Sequence, residues 1–288
     1  MEPTRVTAFC PGHISGYFRR VDGASTASTG SMGAGIVISE GVTATVTPSE
    51  KTSIRIVSRD ETGRELRTDM GSFTVASVMS RIGITAAVQT ECRLPIGAGF
   101  GLSAAALLAT LTALNRLFTL DLAPRDIAEY AHETEVAHRT GLGDVAACQG
   151  GGRVVRYGPG IDARIERTYD LDGSLYMVSF GPIPTPSVLG SDEQMERVSA
   201  AFPDTTPKNP DDFFRLSRQF TVKSGLATEE VLAVLDACER ARVPASMTML
   251  GNGVFALGRD ARPVLEPFGH VYECTMARSG AMITDEQV

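Results

Sequence analysis

The segment from Leu94 to Ala105 constrains this chain more than any other. It reads L-P-I-G-A-G-F-G-L-S-A-A, a glycine-rich loop that runs directly into an apolar helix. Because glycine lacks a Cβ atom, Gly97, Gly99 and Gly101 allow backbone conformations that other residues avoid and let a ligand approach closely. The first N–H groups of the following helix have no partner within the helix, and the helix dipole favours an anion there. The segment therefore predicts a phosphate-binding loop.

Two common phosphate-binding loops do not fit this segment. A P-loop ends in Gly-Lys-Ser/Thr, and the segment contains no lysine. A dinucleotide-binding fingerprint has glycine at the position of Leu102 and a strand after the helix, whereas a second helical pattern follows here. A plain glycine-rich turn before a buried helix remains open as the alternative.

Composition excludes several classes of function. The net charge is −7 and no run of Lys and Arg exceeds two residues, so we expect no nucleic-acid-binding face. The five cysteines are scattered without a C-x-x-C pair, which is typical of reduced thiols in a cytoplasmic protein. No apolar stretch approaches the ~18 residues of a membrane span, and no apolar signal segment is visible at the N-terminus. We therefore expect a cytoplasmic protein without membrane contact, and the histidine spacing predicts no zinc site.

Hydrophobic periodicity predicts two consecutive structural units. The first contains strands at 4–10, 35–47, 52–58, 85–93 and 153–157 and helices at 72–82, 103–118 and 124–138. Gly, Pro and Asp accumulate at 160–173, which places the boundary between domains 1–165 and 166–288. The second unit contains a strand at 174–180, helices at 191–202, 211–224 and 228–241, hairpin strands at 245–250 and 253–258, a helix at 262–268 and a strand at 270–277. Gly251-Asn252-Gly253 is the predicted hairpin turn.

The glycine-rich loop resembles the second signature of the GHMP kinases, P-x-G-x-G-L-G-S-S-A-A. Leu102 replaces the first serine of the family's pair, and Ser103 keeps the second. The resemblance implies that the loop cradles ATP and that Ser103 reaches the phosphates and Mg²⁺. The implied nucleotide-binding residues are Pro95, Gly97, Ala98, Gly99, Gly101, Leu102, Ser103 and Ala104.

Two further segments are similar to the other signatures of this family. Residues 8–18 read A-F-C-P-G-H-I-S-G-Y-F and keep the Pro-Gly pair of the first signature, with His13 in place of the family's Lys or Arg. Residues 247–255 resemble a reduced third signature. The resemblance implies the two-domain α+β fold of the family, an N-terminal α/β nucleotide-binding domain followed by a ferredoxin-like domain. It also leaves a homodimer open.

Two carboxylates are candidates for the chemistry. Asp144 ends a G-L-G-D segment that resembles the S-G-x-D loop of mevalonate kinase, and the resemblance implies that it is the catalytic base; a turn or N-cap role is the alternative. Helical spacing places Glu135 on the apolar face of its helix and Glu133 on the opposite face. A carboxylate on an inward face is costly unless it is paired or bound to metal. We therefore expect Glu135 to bind Mg²⁺ with Ser103, and a salt bridge to Arg139 is the alternative.

The role of His13 stays open at this stage. At the family's Lys/Arg position, it is a candidate catalytic residue that bridges the γ-phosphate and the acceptor. When protonated, it would instead lower the pKa of Asp144. A core histidine hydrogen-bonded to the backbone is the third interpretation.

The acceptor is predicted from three segments, 8–18, 28–36 and 140–145. Together they resemble the archaeal branch of the family that phosphorylates pantoate in coenzyme A synthesis. In that branch a glycine-serine loop would line the substrate side, and here Gly30, Ser31, Gly33 and Gly35 would form it; a turn between strands is the alternative. The implied substrate residues are Ser15, Ser28, Ser31, Gly33, Gly143 and Gly251.

Pantoate carries a carboxylate, which calls for a cationic partner. The candidates are Arg19, Arg20, Arg153 and Arg156, and the sequence does not choose among them. Other functions remain open: a family member acting on homoserine, shikimate or mevalonate, an inactive binding protein with the same fold, or an oxidoreductase.

Overall fold

An eight-stranded sheet forms the first part of the molecule in this computed structural model, which describes residues 3–183 and 185–288. Its strands are β1 (Arg5–Val21), β2 (Gly30–Pro48), β3 (Ser53–Arg59), β4 (Glu65–Met70), β5 (Ala86–Cys92), β6 (Arg153–Arg156), β7 (Ile165–Thr168) and β12 (Met282–Gln287). The main path runs β12-β1-β2-β5-β3-β4, while β6 pairs with the first half of β2 and β7 pairs with β6. The β3–β5 pair is parallel and the other pairs are antiparallel.

Helices accompany this sheet. They are α1 (Phe73–Arg81), α2 (Leu102–Phe118), α3 (Pro124–His138) and α4 (Asp144–Cys148). Of these, α2 and α4 pack directly on the sheet. α2 packs against β1 and β2, and its side chains are buried almost all round, as its apolar sequence predicts. Pro124 starts α3, where its missing N–H costs no helical hydrogen bond. This packing fixes the start of α2 and the end of α3 beside each other.

The second part of the molecule is a four-stranded antiparallel sheet. Its strands are β8 (Leu175–Pro182), β9 (Ala245–Met247), β10 (Gly251–Leu257) and β11 (Tyr272–Cys274), in the order β11-β8-β10-β9. Its helices are α5 (Thr185–Leu189), α6 (Asp192–Ala201), α7 (Pro210–Ser224), α8 (Glu229–Arg240) and α9 (Ala261–Leu265), followed by a 3₁₀ turn at Glu266–Phe268. A β-α-β-β-α-β order with the fourth strand beside the first is ferredoxin-like. The predicted α+β fold class is therefore confirmed.

Helix α7 joins the two parts, because it packs on both β1 and β9. Gly16 of β1 lies so close to this helix that a Cβ atom there would be 2.7 Å from Phe213 Cζ. The last strand, β12, returns to the first sheet and pairs with β1. The division into 1–165 and 166–288 stays a prediction. Within the described residues, none of the helices has the length and apolar character needed to cross a bilayer.

Two predicted turns are wrong. Residues 30–35 were predicted as a loop or a turn, but they lie inside β2, which pairs with β1 on one side and β6 on the other. Glycine permits this close pairing, since a Cβ atom on Gly35 would lie 2.8 Å from Cε1 of His13. Gly251-Asn252-Gly253 begins β10 instead of forming the hairpin turn. The turn lies just before it and contains Leu250 with a positive φ of 62°.

Candidate active site

A central cavity of about 380 Å³ lies where the glycine-rich loop, the end of α3, the start of α4 and the turn before β10 meet. The structure brings together many of the residues that the sequence singled out. The predicted residues that line this cavity are Ser15, Ser31, Gly97, Gly99, Gly101, Leu102, Ser103, Glu135, Gly143 and Asp144. Phe18, Thr140 and Met249 also line it, and no sequence pattern had indicated a role for their side chains.

Several predicted residues do not line the central cavity. Ala98 and Ala104 are fully buried, and Pro95 precedes the part of the loop that reaches the cavity. Ser28 is exposed and hydrogen-bonds to Ser25, away from the cavity. Gly33 lines a separate cavity of about 400 Å³. Gly251 packs against the backbone of Ala98 and so supports the loop from behind. Their predicted ligand contacts are not supported by this geometry.

The glycine-rich loop has a left-handed backbone, which is a conformation that residues other than glycine avoid. Gly97, Gly99 and Gly101 have φ values of 80°, 81° and 63°. The close approach at Gly99 is to the protein itself, because a Cβ atom there would lie 2.7 Å from the carbonyl oxygen of Met249. The loop is therefore held against the turn before β10, at one wall of the cavity.

Helix α2 presents its N-terminus to the central cavity. Its N-cap is Gly101, which has no side chain to accept hydrogen bonds from the first turn. Leu102 and Ser103, the first residues of the helix, both line the cavity. Uncapped N–H groups and the positive end of the helix dipole make this end of the cavity suitable for an anion.

Glu135 points into the protein, as its helical phase predicts. Its side chain is only 2% exposed and it lines the central cavity. The hydroxyl of Thr140 donates a 3.1 Å hydrogen bond to Oε1 of Glu135. Burial and then the charge of Asp144 raise the pKa of Glu135 to about 8, although hydrogen bonds from Ser103 and Thr140 oppose this shift. Arg139 is exposed and, among the described residues, no ion pair reaches Glu135, so the salt-bridge alternative is wrong.

A buried carboxylate without a cationic partner, beside a serine hydroxyl, suits a hard divalent cation. Mg²⁺ is usually bound by one or two protein oxygen ligands together with phosphate oxygens and water. Ser103 and Glu135 fit this donor set. The described residues contain no cluster of three or more His, Cys, Asp or Glu side chains that would bind a metal without such additional ligands.

Asp144 occupies the first position of α4, directly after Gly143. Its side chain is 24% exposed and lines the cavity, and its Oδ1 accepts a 2.7 Å hydrogen bond from His13 Nδ1. Burial raises the pKa of Asp144, but the hydrogen bond from His13 and the positive charge of Arg156 lower it, and the balance holds it below the usual range. The carboxylate is therefore ionised at neutral pH.

Arg167 of β7 fixes the other end of helix α4. Its guanidinium donates hydrogen bonds of 3.0 and 2.8 Å to the carbonyl oxygens of Ala146 and Ala147, and one of 3.0 Å to Gly151. These carbonyls lie at the C-terminal end of this short helix, where a cation also complements the helix dipole. Helix α4 is thus held at both ends, by the hydrogen bond from His13 to Asp144 at its start and by Arg167 at its end.

His13 does not reach the cavity. It is fully buried, and it lies between Asp144 and Arg156, whose Nη1 is 3.4 Å from His13 Nε2. This placement does not support direct bridging of a phosphate by His13.

Arg156 differs from the other candidate arginines. Arg153 pairs with Asp170, Arg20 pairs with Asp22, and Arg19 lies over the ring of Phe202. Arg156 is 2% exposed, and its Nε has no hydrogen-bond partner among the described residues. It lies directly behind Gly143 and Ser31: a Cβ atom on Gly143 would be 2.7 Å from Arg156 Nε, and Nη2 is 3.5 Å from the Ser31 hydroxyl.

Comparison with known proteins places this arrangement in a family. Residues 71–152 match the model of the GHMP kinases N terminal domain. A solved structure titled phosphotransferase related to CoA biosynthesis pathway superposes with a TM-score of 0.82 at 24% identity, covering 97% of this chain and 98% of that one. A curated relative is 47% identical over 98% of both chains. The chain therefore belongs to the GHMP kinases.

That curated relative is the pantoate kinase of Methanospirillum hungatei. The pantoate kinase of Thermococcus kodakarensis is 31% identical, with 88% of each chain covered. A homoserine kinase structure from Cytophaga hutchinsonii superposes with a TM-score of 0.63 at 17% identity, covering 98% of each chain, and so shares the fold. The similarity to pantoate kinases thus extends along nearly the whole sequence.

Proposed function

We propose that this protein transfers the γ-phosphoryl group of ATP to the primary hydroxyl of pantoate, giving ADP and 4-phosphopantoate. The 47% identity to a pantoate kinase over nearly the whole chain supports the acceptor. The observation that carries the chemistry is the convergence of Ser103, Glu135 and Asp144 on one cavity at the N-terminus of α2. An inactive binding protein would have no need for these three side chains to meet.

The nucleotide occupies the part of the cavity beside the glycine-rich loop. Its phosphates meet the uncapped N–H groups of Leu102 and Ser103, where the helix dipole favours negative charge. Val42, Ile56 and Val75 line the same cavity and offer an apolar surface for the base. The acidic chain thus forms its phosphate site mainly from backbone dipoles.

Ser103 and Glu135 would hold Mg²⁺ beside the β- and γ-phosphates. When bound, the cation neutralises the charge on the phosphate oxygens. Thr140 keeps the carboxylate of Glu135 turned toward this position through its hydrogen bond. Once a cation has displaced the proton of Glu135, the buried carboxylate would hold that cation in a poorly screened environment, which strengthens their attraction.

Asp144 orients the hydroxyl of the acceptor and takes its proton. As the hydroxyl oxygen bonds to the γ-phosphorus, the bond to the bridging oxygen of ADP breaks and the hydroxyl proton passes to the carboxylate. Phosphoryl transfer depends mainly on positioning and charge stabilisation, so an ionised carboxylate with a lowered pKa is suited to orient the nucleophile. Behind Gly143 and Ser31, Arg156 supplies the positive potential that attracts the carboxylate of pantoate.

A panel of acceptors tests this proposal. Purified protein with ATP and Mg²⁺ should release ADP with pantoate, and much less with homoserine, shikimate or mevalonate. Phosphorus NMR should show a phosphomonoester on the primary hydroxyl. If ADP is released with another acceptor and not with pantoate, the proposal that pantoate is the acceptor is wrong, while the proposal of a kinase remains. No turnover with any acceptor, together with no binding of ATP, would favour a binding protein.

A further inference from the structure

Three side chains from three separate elements form a line that ends at the central cavity. Arg156 closes β6, His13 lies in β1, and Asp144 begins α4. Arg156 Nη1 is 3.4 Å from His13 Nε2, and His13 Nδ1 is 2.7 Å from Asp144 Oδ1. Of the three, Asp144 alone lines the central cavity; Arg156 is 2% exposed and His13 is fully buried.

The direction of these hydrogen bonds fixes the tautomer of His13. A guanidinium can only donate hydrogen bonds, so Nε2 of His13 must accept from Arg156. The imidazole is then neutral, carries its proton on Nδ1 and donates a hydrogen bond from Nδ1–H to the carboxylate of Asp144. Burial, the largest influence, lowers the pKa of His13, and the nearby charges of Arg156 and Arg167 lower it further against the opposing effect of Asp144.

The backbone around His13 leaves the imidazole little freedom. The backbone N–H of His13 donates a 3.0 Å hydrogen bond to the carbonyl oxygen of Phe100, inside the glycine-rich loop. A Cβ atom on Gly35 would lie 2.8 Å from Cε1 of the ring, and one on Gly101 would lie 3.0 Å from the backbone nitrogen of His13. The histidine is thus enclosed by β2 and by the nucleotide loop.

We propose that Arg156 and His13 form a relay that holds Asp144 in the orientation needed by the acceptor hydroxyl. This inference rests on the proposed kinase function and deepens it. His13 is a positioning residue that never touches a phosphate. The positive charge of Arg156 acts on the carboxylate through a neutral imidazole. The guanidinium of Arg156 thus has two roles. It holds Asp144 through His13, and it lies behind the surface of Gly143 and Ser31 that attracts the carboxylate of the acceptor.

Two amide substitutions separate the two contacts of His13. The amide nitrogen of Asn takes the place of Nδ1, so H13N keeps a donor for Asp144 and loses the contact with Arg156. The amide of Gln takes the place of Nε2, so H13Q keeps the contact with Arg156 and releases Asp144. H13Q should lower kcat by about 10²-fold, the scale for misplacing a reacting group, and H13N by clearly less. KM for ATP should stay unchanged in both variants, and H270N, at an exposed histidine, is the control.

Nitrogen-15 NMR of the ligand-free wild-type protein tests the same relay without any turnover. His13, assigned by its loss in H13N, should show a protonated Nδ1 and an unprotonated Nε2 at neutral pH. An Nε2–H tautomer, an imidazolium, or equal losses of kcat in H13N and H13Q would overturn the relay. Failure of the proposed function would appear separately, as wild-type protein that releases no ADP with pantoate.

Discussion

The hydroxyl of Thr140 and the carboxylate of Glu135 are joined by a 3.1 Å hydrogen bond across the turn that ends α3. The same turn is closed by a 3.0 Å hydrogen bond from the backbone nitrogen of Thr140 to the carbonyl of Glu135. The carboxylate is thereby directed into the central cavity. Two positions earlier, Glu133 faces outward and forms an ion pair with Arg81. One helix thus presents two chemically identical groups to two different environments.

This contrast predicts different outcomes for E135Q and E133Q. E135Q should lower kcat by on the order of 10²-fold, the scale for removing one electrostatic contact at a transition state. E133Q removes a partly exposed ion pair, worth ~0–1 kcal/mol, and should leave kcat within about twofold of the wild type. Steady-state assays at saturating substrates measure both. Equal losses in the two variants would contradict the assignment of Glu135 to the magnesium site.

Glu135 also predicts how stability depends on pH in the absence of nucleotide and metal. Its pKa is raised from an ordinary value of 4.5 to about 8 in the folded protein, so the folded state binds this proton more tightly than the unfolded state. The resulting stabilisation is fully present below about pH 4.5 and is lost as the pH rises through about 8. E135Q cannot titrate, so its Tm should exceed that of the wild type increasingly as the pH rises.

Thermal melts of both proteins at about pH 5 and about pH 9 would measure this difference. E133Q serves as the control and should follow the wild type across the range. A Tm difference between wild type and E135Q that does not change with pH would mean that Glu135 ionises normally.

D144N should affect turnover far more than nucleotide binding. The carboxylate acts on the acceptor hydroxyl, and the proton moves only as the transition state forms, so kcat should fall ~10²–10⁴-fold. Calorimetry should give an unchanged affinity for ATP. D162N, at an exposed carboxylate paired with Arg125, is the control and should leave kcat unchanged. Near-normal turnover in D144N would show that the acceptor needs no carboxylate.

The packing of the glycine-rich loop can be tested at Gly99, with Gly83 as a control position that has a similar backbone conformation. Both have left-handed backbones, with φ of 81° and 70°, but a Cβ atom at Gly83 would meet no neighbour within 4 Å. G83A should therefore lower the free energy of unfolding only by the backbone strain, ~1–2 kcal/mol. G99A should lower Tm further and weaken ATP binding, because its Cβ atom would displace the loop from the turn before β10. Equal Tm losses and unchanged ATP affinity would show that this contact is unimportant.

Much of the fold could be predicted because its strands and helices carry strong periodic patterns. The apolar helix α2 and the Val-, Ile- and Thr-rich part of β2 begin and end close to where their residues indicate. The strands that were missed, β4, β7 and β12, are short and polar, with sequences such as E-L-R-T-D-M. Strand β1 was predicted to span only residues 4–10, and Pro11 and Gly12 are residues that disfavour a strand. The structure accommodates them at a register shift in the pairing with β2.

The site was predictable where it depends on local spacing. Helical phase alone placed Glu135 inward, and the three glycines indicated a loop whose backbone other residues avoid. The contact of His13 with Arg156 was not predictable, since Arg156 lies 143 positions away and meets His13 through the pairing of β6 with β2. The exposure of Ser28 and the separate cavity at Gly33 likewise depend on how β1 and β2 pair. Contacts between distant strands leave no local pattern in a sequence.

The pairing of β1 with β12 has a consequence for how the protein folds. Arg5 pairs with Gln287 and Phe9 with Met282, so the strand that carries His13 acquires one of its neighbours from residues some 280 positions later. Contacts of such long range slow folding, and until they form the edge of β1 is open to other chains. Removal of residues 282–287 should therefore favour association of partly folded molecules during expression. The sheet that carries His13 is therefore complete only when the last of its strands joins β1.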